Sequence, residues 1–431
     1  MKKICSLFLL SLLICGTSAR AQFVVEVTRG QTQAIPIAVV PFASAEVTAA
    51  SFDIAQLVSD DLARSGRFRT MDVKDMVDQP HTGANIAFDD WRRLNNDYMV
   101  VGSLQNTGAD RYSITYELYN VLTRQRLLGF QINANKPGLR VASHQIADAV
   151  FEKILGIRGA FNTRIAYIAA LGHVPNKVYQ LVVADADGEN PHVITESKEP
   201  LMSPTWSPDG SQLAYVSFEQ RLSTIYVQNL KSGERQRVAA HAGVNQAPAW
   251  SPDGKKMAMT LSTRDGNLDV YVLDLETQAL SRITDDPGID TEPQWSKDGQ
   301  SLYFTSDRAG GPQIYKVGVR PGDKPRRLTF QGSYNARPRI SPDESQMCFV
   351  TQEEGGYRIA TMDLRGHGDV QVITTGPADV SPSYAPNGAV VIYASRDHGR
   401  GVLALVSADG HVHQRLIASE GELQEPAWAP F

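Results

Sequence analysis

Alternation of apolar and polar positions divides most of this chain into short strands that return at an even spacing. Leu213-Ala214-Tyr215-Val216-Ser217 is followed by Ile225-Tyr226-Val227-Gln228-Asn229-Leu230. The pair recurs as Met257-Ala258-Met259-Thr260 with Val270-Tyr271-Val272-Leu273, and as Leu302-Tyr303-Phe304-Thr305 with Ile314-Tyr315-Lys316-Val317. Runs this short, bounded by turn residues, read as strands rather than helices. Each pair is preceded by a strand ending in Trp or its replacement and followed by a weaker fourth, near Arg237-Val238 in the first copy. The turn Ser207-Pro208-Asp209-Gly210 has a chemical reason for each residue. Pro presets φ, Asp bonds its own backbone, and Gly accepts the left-handed position. The turn returns at 251–254 and 296–299, then fades through 341–343 and 385–388.

Taking the Trp or its replacement as marker, the positions are 206, 250, 295, 340, 384 and 428, a step of 44 or 45 residues. Four strands per step predict the blades of a β-propeller; a β-sandwich with repeated turns would not hold so even a phase. Second strands begin near 165, 213, 257, 302, 346 and 390, which makes six blades. The first of them has no Pro-x-Trp strand ahead of it, whereas Pro426-Ala427-Trp428 stands unclaimed at the other end. The expectation is therefore an all-β six-bladed propeller over 158–431, closed by pairing of the C-terminal strand with the first blade.

Upstream the pattern changes type and predicts a mixed α/β domain over 35–157. Ile37 to Phe42 reads as a buried strand, and Phe52 to Arg64 as a helix with Ile54, Leu57, Val58 and Leu62 inward and a stop at Ser65-Gly66. A strand at Tyr98–Ser103 and a hairpin of Tyr112–Asn120 with Arg126–Ile132 follow. A second helix runs from about Arg140 to Leu155 with Val141, Ile146, Val150, Phe151 and Ile154 inward. Ahead of the domain, 22–34 forms an arm in which Phe23, Val25 and Val27 alternate with Val24, Glu26 and Thr28. Such a segment is a fixed edge strand, a strand lent to another chain, or a loose terminus.

Residues 1–21 carry Lys2 and Lys3, an apolar run from Ile4 to Cys15, and Ala19-Arg20-Ala21, which reads as a secretory signal peptide. The run is short of the ~20 residues that span a bilayer. Leu12-Leu13-Ile14-Cys15 is a poor lipoprotein box, because Ile14 is bulky where a small residue is wanted. Once the signal is removed only Cys348 remains, in an apolar strand, so no intrachain disulfide forms and the thiol reads as a buried small hydrophobe. Charge then narrows the partners. The chain has 42 basic and 47 acidic residues, a net charge of −5, and loss of Lys2, Lys3 and Arg20 takes it to −8. Nucleic acid, whose affinity rests on clustered Lys and Arg, is excluded, and no segment beyond Ala21 is apolar and long enough to be a transmembrane span.

Catalytic chemistry is hard to find. There is no Gly-x-Ser-x-Gly elbow and no spare length for a hydrolase domain. His411-x-His413 is a metal half-site without a third ligand, and Asp209, Asp253, Asp298 and Asp343, one per blade, cannot converge on one ion. The expectation is no catalytic residue, no cofactor and no metal, although a polar channel can take up calcium; the alternative is a propeller hydrolase or lyase with its site at the channel. The loops leading into the innermost strands crown one channel mouth. They contribute Leu201 and Met202, Asn245 to Ala247, Asp290 to Glu292, Asn335 to Arg337, Asp379 to Ser381, and Gln424 with Glu425. They vary while the strands behind them repeat, the mark of a binding face in repeat proteins; plain solvated loops are the other reading.

The export signal, the α/β domain opening on Pro36-Ile37-Ala38-Val39-Val40-Pro41-Phe42 and the Trp-Ser-Pro-Asp-Gly propeller resemble the TolB family of the Tol–Pal system. Phe151-Glu152-Lys153, Arg164-Ile165-Ala166-Tyr167, Leu201-Met202-Ser203-Pro204, Thr291-Glu292-Pro293 and Thr305-Ser306-Asp307 resemble family segments in the same order. The resemblance implies a non-catalytic periplasmic adaptor needed for outer-membrane integrity and constriction during cell division. It implies docking of the lipoprotein Pal on the channel mouth, with Ala247, Thr291 and Glu292 carried over by position. Met202, Asn245, Asp290, Arg337 and Glu425 join them from the same loops. It further implies that the arm, Gln22, Phe23, Val24, Val25, Glu26 and Val27 onward to about Gln33, is presented to TolA, which connects to TolQ and TolR. In the family, Pal docking is thought to hold the arm against the body and its release to recruit TolA. The chain departs from the family pattern at Val244, where relatives carry a His.

Overall fold

A computed structural model describes residues 22–26, 34–44, 52–108, 110–262, 266–366, 368–417 and 421–431. From Arg164 onward the chain forms six antiparallel sheets. The first runs from the rim inward as His192–Ser197, Val178–Asp185, Arg164–Leu171 and, innermost, Glu422–Trp428. The other innermost strands are Leu201–Trp206, Asn245–Trp250, Asp290–Trp295, Asn335–Ile340 and Val380–Tyr384. Closure occurs as the sequence pattern requires: Trp428 pairs with Ile165 and Ala427 with Ala166. The indole of Trp428 donates to Thr163 Oγ1 at 2.8 Å, and that of Trp206 reaches across to the Ala427 carbonyl at 3.0 Å.

The period-two pattern has a direct packing consequence, because both faces of every blade are buried. Ile165, Tyr167 and Ala169 of the first blade pack against Ile392, Leu403 and Leu405 of the sixth. The intervening Ala166 and Ile168 pack against Leu213 and Tyr215 of the second. Tyr215 lies between blades while its neighbours Ala214 and Val216 face Met257, Met259 and Leu261 of the third. Each blade is thus a wedge whose two faces complete two different cores, and a ring is the arrangement that leaves none of them open. Cys348 is fully buried among these apolar contacts, as its neighbours suggested.

The preceding region holds a sheet in the order Phe68–Thr70, Ile35–Val39, Tyr98–Gly108, Arg111–Asn120, Gln125–Asn135. Helices α1 (Ile54–Arg64) and α3 (Leu139–Leu155) bury Val58, Leu62, Ile146, Val150 and Phe151 against one face. The short α2 (Phe88–Arg93) presses Trp91 into the other, where Met99 and Val101 receive it. Helix α1 begins at Ile54 because Asp53 caps it, accepting from the Gln56 N–H at 3.0 Å. Val141, expected inward, is 46% exposed. The buried stripe of α3 is Leu139, Ala142, Ile146 and Val150, and Val141 lies about 100° from Ala142 around the helix. The strand Phe68–Thr70 was not foreseen, since its stability comes from parallel pairing with Ile35 to Ile37, more than thirty residues away.

Residues Gln22–Glu26 add a fifth strand to the sixth blade, running antiparallel to His413–Ile417 from Gln22 opposite Ile417 to Glu26 opposite His413. Of the readings open for the arm, the edge strand is the one seen. Val27, the polar run to Gln33, and residues 1–21 with Cys15 lie outside the described residues. Among the described residues no helix is long and apolar enough to cross a membrane.

The α/β region rests on the turns that join first to second and third to fourth strands. Arg140 grips Asp185 at 3.1 Å and also Asp187, both in such a turn of the first blade. Gln414 Nε2 donates to the Arg64 carbonyl at 2.8 Å, and Asn387 Nδ2 to that of Arg158 at 3.0 Å. Gly66, just past α1, is packed so closely on the sixth blade that an added Cβ would lie 2.3 Å from Val412. In an antiparallel blade these turns all fall at one end, so the loops leading into the innermost strands crown the opposite, uncovered face.

The connection from α3 into the first blade is tied by Asp148, which accepts the backbone N–H groups of Phe161 at 2.8 Å and Asn162 at 3.2 Å. Burial, outweighing those two bonds, pushes its carboxyl up to about 6. A raised carboxyl pKa contributes stability that is complete below the unfolded value and is lost as pH rises through the folded one. Thermal unfolding between pH 4 and 7 should therefore show a decline of on the order of 2 kcal/mol as pH rises. Asp148→Asn should flatten that decline; a variant with the wild-type slope would remove the assignment.

Candidate functional site

The innermost strands share one irregularity. Ser203, Ala247, Glu292, Arg337, Ser381 and Glu425 all have positive φ, between 49° and 57°, and each stands directly before a proline. Strand pairing slips at this point in every blade. Proline cannot donate to the ladder, so the chain bulges there and aims one side chain per blade at the axis. Left-handed backbone at a non-glycine residue costs about 1 kcal/mol or more, and six copies of it hold this ring in place. The signal was present in the sequence as the residue before each repeated proline; sequence reasoning saw the proline and missed the ring.

Three ring members are charged. Arg337 lies between Glu292, which it contacts through Nε, and Glu425, whose Oε1 is 3.6 Å from its Nη2; it also donates to Ser381 Oγ. Burial works against the Arg337 cation, but the two carboxylates outweigh it and raise its pKa above the usual arginine value. The backbone N–H of Ser203 donates to Glu425 Oε2, and Thr305 Oγ1 to Glu292 Oε2 at 3.3 Å. The ring is a knotted polar plug. It separates a cavity of about 280 Å³ at the uncovered mouth from a channel of about 390 Å³ running toward the proline turns.

The mouth cavity is lined by Met202, Phe218, Gln246, Ala247, Ile289, Thr291, Glu292, Tyr334 and Arg337. Thr291 Oγ1 accepts from Thr260 Oγ1 at 3.3 Å, which fixes it on the wall. Met202 and Ile289 line this cavity and are exposed, and Leu222, Phe330 and Tyr357 are exposed at turns and a lead-in loop of the same face, Phe330 by 72%. A cluster of exposed Met, aromatic and aliphatic side chains around a polar centre has the composition of a protein-binding surface. Two residues expected at the mouth are elsewhere. Asn245 is fully buried, donating from Nδ2 to the carbonyls of Ser223 and His241, and Asp290 is fully buried on Arg308 at 2.7 Å. Both shape the loops and neither presents a surface. Phe330, in a loop outside the repeating motif, and Tyr357, at the start of the strand Gly356–Asp363, were not anticipated.

Among the described residues, metal-ligand geometry occurs once, away from the mouth. Asp61, His144 and Asp187 bring ligand atoms within 4.8 Å of one another, buried between α1, α3 and the first blade. Burial raises Asp187, but Arg64 and Arg140, followed by His144, more than reverse it and hold the carboxyl below its ordinary range. Arg64 also bonds Asp61, and His144 Nδ1 lies 2.6 Å from Asp61 Oδ2. Two guanidiniums already balance these carboxylates, so the cluster is a charge clamp between the two regions. The repeated turn aspartates stay local: Asp209, Asp253 and Asp298 each accept from the turn serine at 2.6 Å, and Asp343 at 2.7 Å. His411 and His413 sit apart, the first beside Asp409 and the second on the Gly410 carbonyl.

Comparison with known proteins agrees with this architecture. Residues 151–431 match the family described as TolB beta propeller domain, and residues 23–127 the TolB amino-terminal domain. The chain is 46% identical over 427 residues to the Tol-Pal system protein TolB of Xanthomonas campestris pv. campestris (strain B100), covering 98% of this chain and 97% of that protein. The TolB of Xanthomonas oryzae pv. oryzae (strain MAFF 311018) matches with the same identity and coverage. The crystal structure of TolB from Acinetobacter baumannii superposes with a TM-score of 0.87 at 38% identity, covering 95% of this chain and all of that one.

Proposed function

Since this chain belongs to the TolB family of Tol-Pal system proteins, we propose that it is a non-catalytic periplasmic adaptor that binds Pal at the uncovered channel mouth and TolA through its N-terminal arm. The carrying observation is the mouth itself: exposed Met202 and Ile289 line one cavity with Thr291, Ala247 and the Glu292–Arg337 part of the plug, and Phe330 and Tyr357 are exposed on the same face, which the α/β region leaves free. Met202, Ala247 and Thr291 would supply contact, while the plug would supply a rigid polar floor. Asn245 and Asp290 would act by positioning their loops. A surface of this kind recognises a folded partner with an apolar anchor and a polar rim.

The arm suits a second, exchangeable partner. Five residues pair along one outer edge of the sixth blade, and a strand held chiefly by main-chain bonds at an edge can be traded for pairing with another chain. Its loan to TolA, and through TolA to TolQ and TolR, would connect the propeller to outer-membrane constriction during division. The adaptor reading is favoured over a channel hydrolase or lyase because the charged groups at the mouth are paired with one another rather than poised for a substrate. Titration of the mature chain with purified Pal and, separately, with TolA tests the proposal. Deleting residues 22–33 should abolish TolA binding and leave Pal affinity within about twofold, since 1.4 kcal/mol per tenfold makes smaller changes hard to assign. Retention of TolA binding by that deletion would end the arm assignment.

A further inference from the structure

Below the plug, a second ring lines the channel: Thr205, Ala249, Gln294, Arg339, Ser383 and Ala427, one from each blade. Arg339 is the one charged member. Arg337, two residues earlier on the same strand, has two carboxylates; Arg339 has none within 4 Å among the described residues and donates a single bond, from Nη1 to the Pro338 carbonyl at 2.8 Å. Both nearby glutamates are committed elsewhere, to Arg337, Thr305 and the Ser203 N–H. Burial accordingly holds Arg339 below the usual arginine range, the reverse of its neighbour. Its surroundings offer donors, the Gln294 amide and the Thr205 hydroxyl, and apolar walls from Trp206, Tyr384, Trp428 and the turn prolines.

We propose that this channel is a binding site for a small organic molecule bearing one compact oxyanion, a carboxylate or a phosphate, gripped by Arg339 and entering from the proline-turn end, where no α/β residue among the described ones lines the channel. A guanidinium presents paired N–H donors that match either oxyanion, and a half-buried cation with one backbone acceptor gains most from such a partner. The volume of about 390 Å³ fits a metabolite-sized body and is too small for a folded domain. The site is separated by the plug from the mouth assigned to Pal, so the two readings stand or fall independently.

The test is calorimetric titration of the mature chain with orthophosphate, and in separate runs with acetate and succinate, against chloride at matched ionic strength. Saturable binding of one anion per chain is expected, weakened at least tenfold in Arg339→Gln and unchanged in Arg327→Gln at the rim. Phosphate alone would assign a phosphorylated ligand, and acetate or succinate a carboxylate. No saturable binding beyond the chloride control, or equal affinity in Arg339→Gln, would overturn the proposal. Should Arg339→Gln fail to fold by near-ultraviolet circular dichroism, Gln294→Leu decides: weakened binding supports the site, unchanged affinity refutes it.

Discussion

Deleting residues 426–431 should open the ring and lower the unfolding temperature by roughly 10 °C or more. The truncated segment contains Ala427 and Trp428, which pair with Ala166 and Ile165, and Ala429, whose N–H donates to the Arg164 carbonyl at 2.9 Å. It also supplies the carbonyl that receives the Trp206 indole. A tryptophan that buries on the order of 200 Å² is worth about 5 kcal/mol at 25 cal/mol per Å², and 1 kcal/mol shifts a domain of this size by about 2 to 4 °C. The loss also bares the inner edge of the strand Arg164–Leu171 at Ile165 and Ala166, a template for intermolecular pairing. Differential scanning calorimetry with size-exclusion chromatography reads both effects. A truncated chain that stays monomeric and melts with the full one would mean that Trp428 closes nothing.

Thr291→Arg should weaken Pal binding at least a hundredfold while leaving the melting temperature within about 3 °C of wild type. Thr291 stands on the wall of the 280 Å³ mouth cavity beside Glu292 and Arg337. A longer cation there fills the cavity and faces Arg337, whose two carboxylates are already engaged. A hundredfold loss is about 2.7 kcal/mol, the range of an interface hot spot turned repulsive. Thr291→Ser, which keeps the hydroxyl toward Thr260, should bind Pal nearly as wild type. Equal Pal affinity in the Arg variant would move the contact surface away from this mouth.

How far the site could be read beforehand differed between residues of the same loop. Thr291, Ala247 and Glu292 were legible as lead-in positions of a repeat, and the mouth does collect them. Asn245 and Asp290 had the same warrant and are buried, the first bonded to Ser223 and His241 and the second paired with Arg308. Repetition tells which positions are equivalent; it cannot tell whether a side chain turns outward or back, since that depends on partners from other strands. For the same reason the exposure of Phe330 and Tyr357 on this face could not be read beforehand.

By itself, the order of residues determined the blade number, the phase of every second strand and the strand that closes the circle. Those features rest on local turn chemistry and on two-residue alternation, both of which are written within a few positions of each other. Only the assembled ring decided that six residues before prolines meet at the axis, that Arg337 is paired while Arg339 is not, and that the arm lies along the sixth blade. Those facts join positions 44 to 395 residues apart, and distances across a closed ring are properties of the fold that no stretch of sequence carries alone.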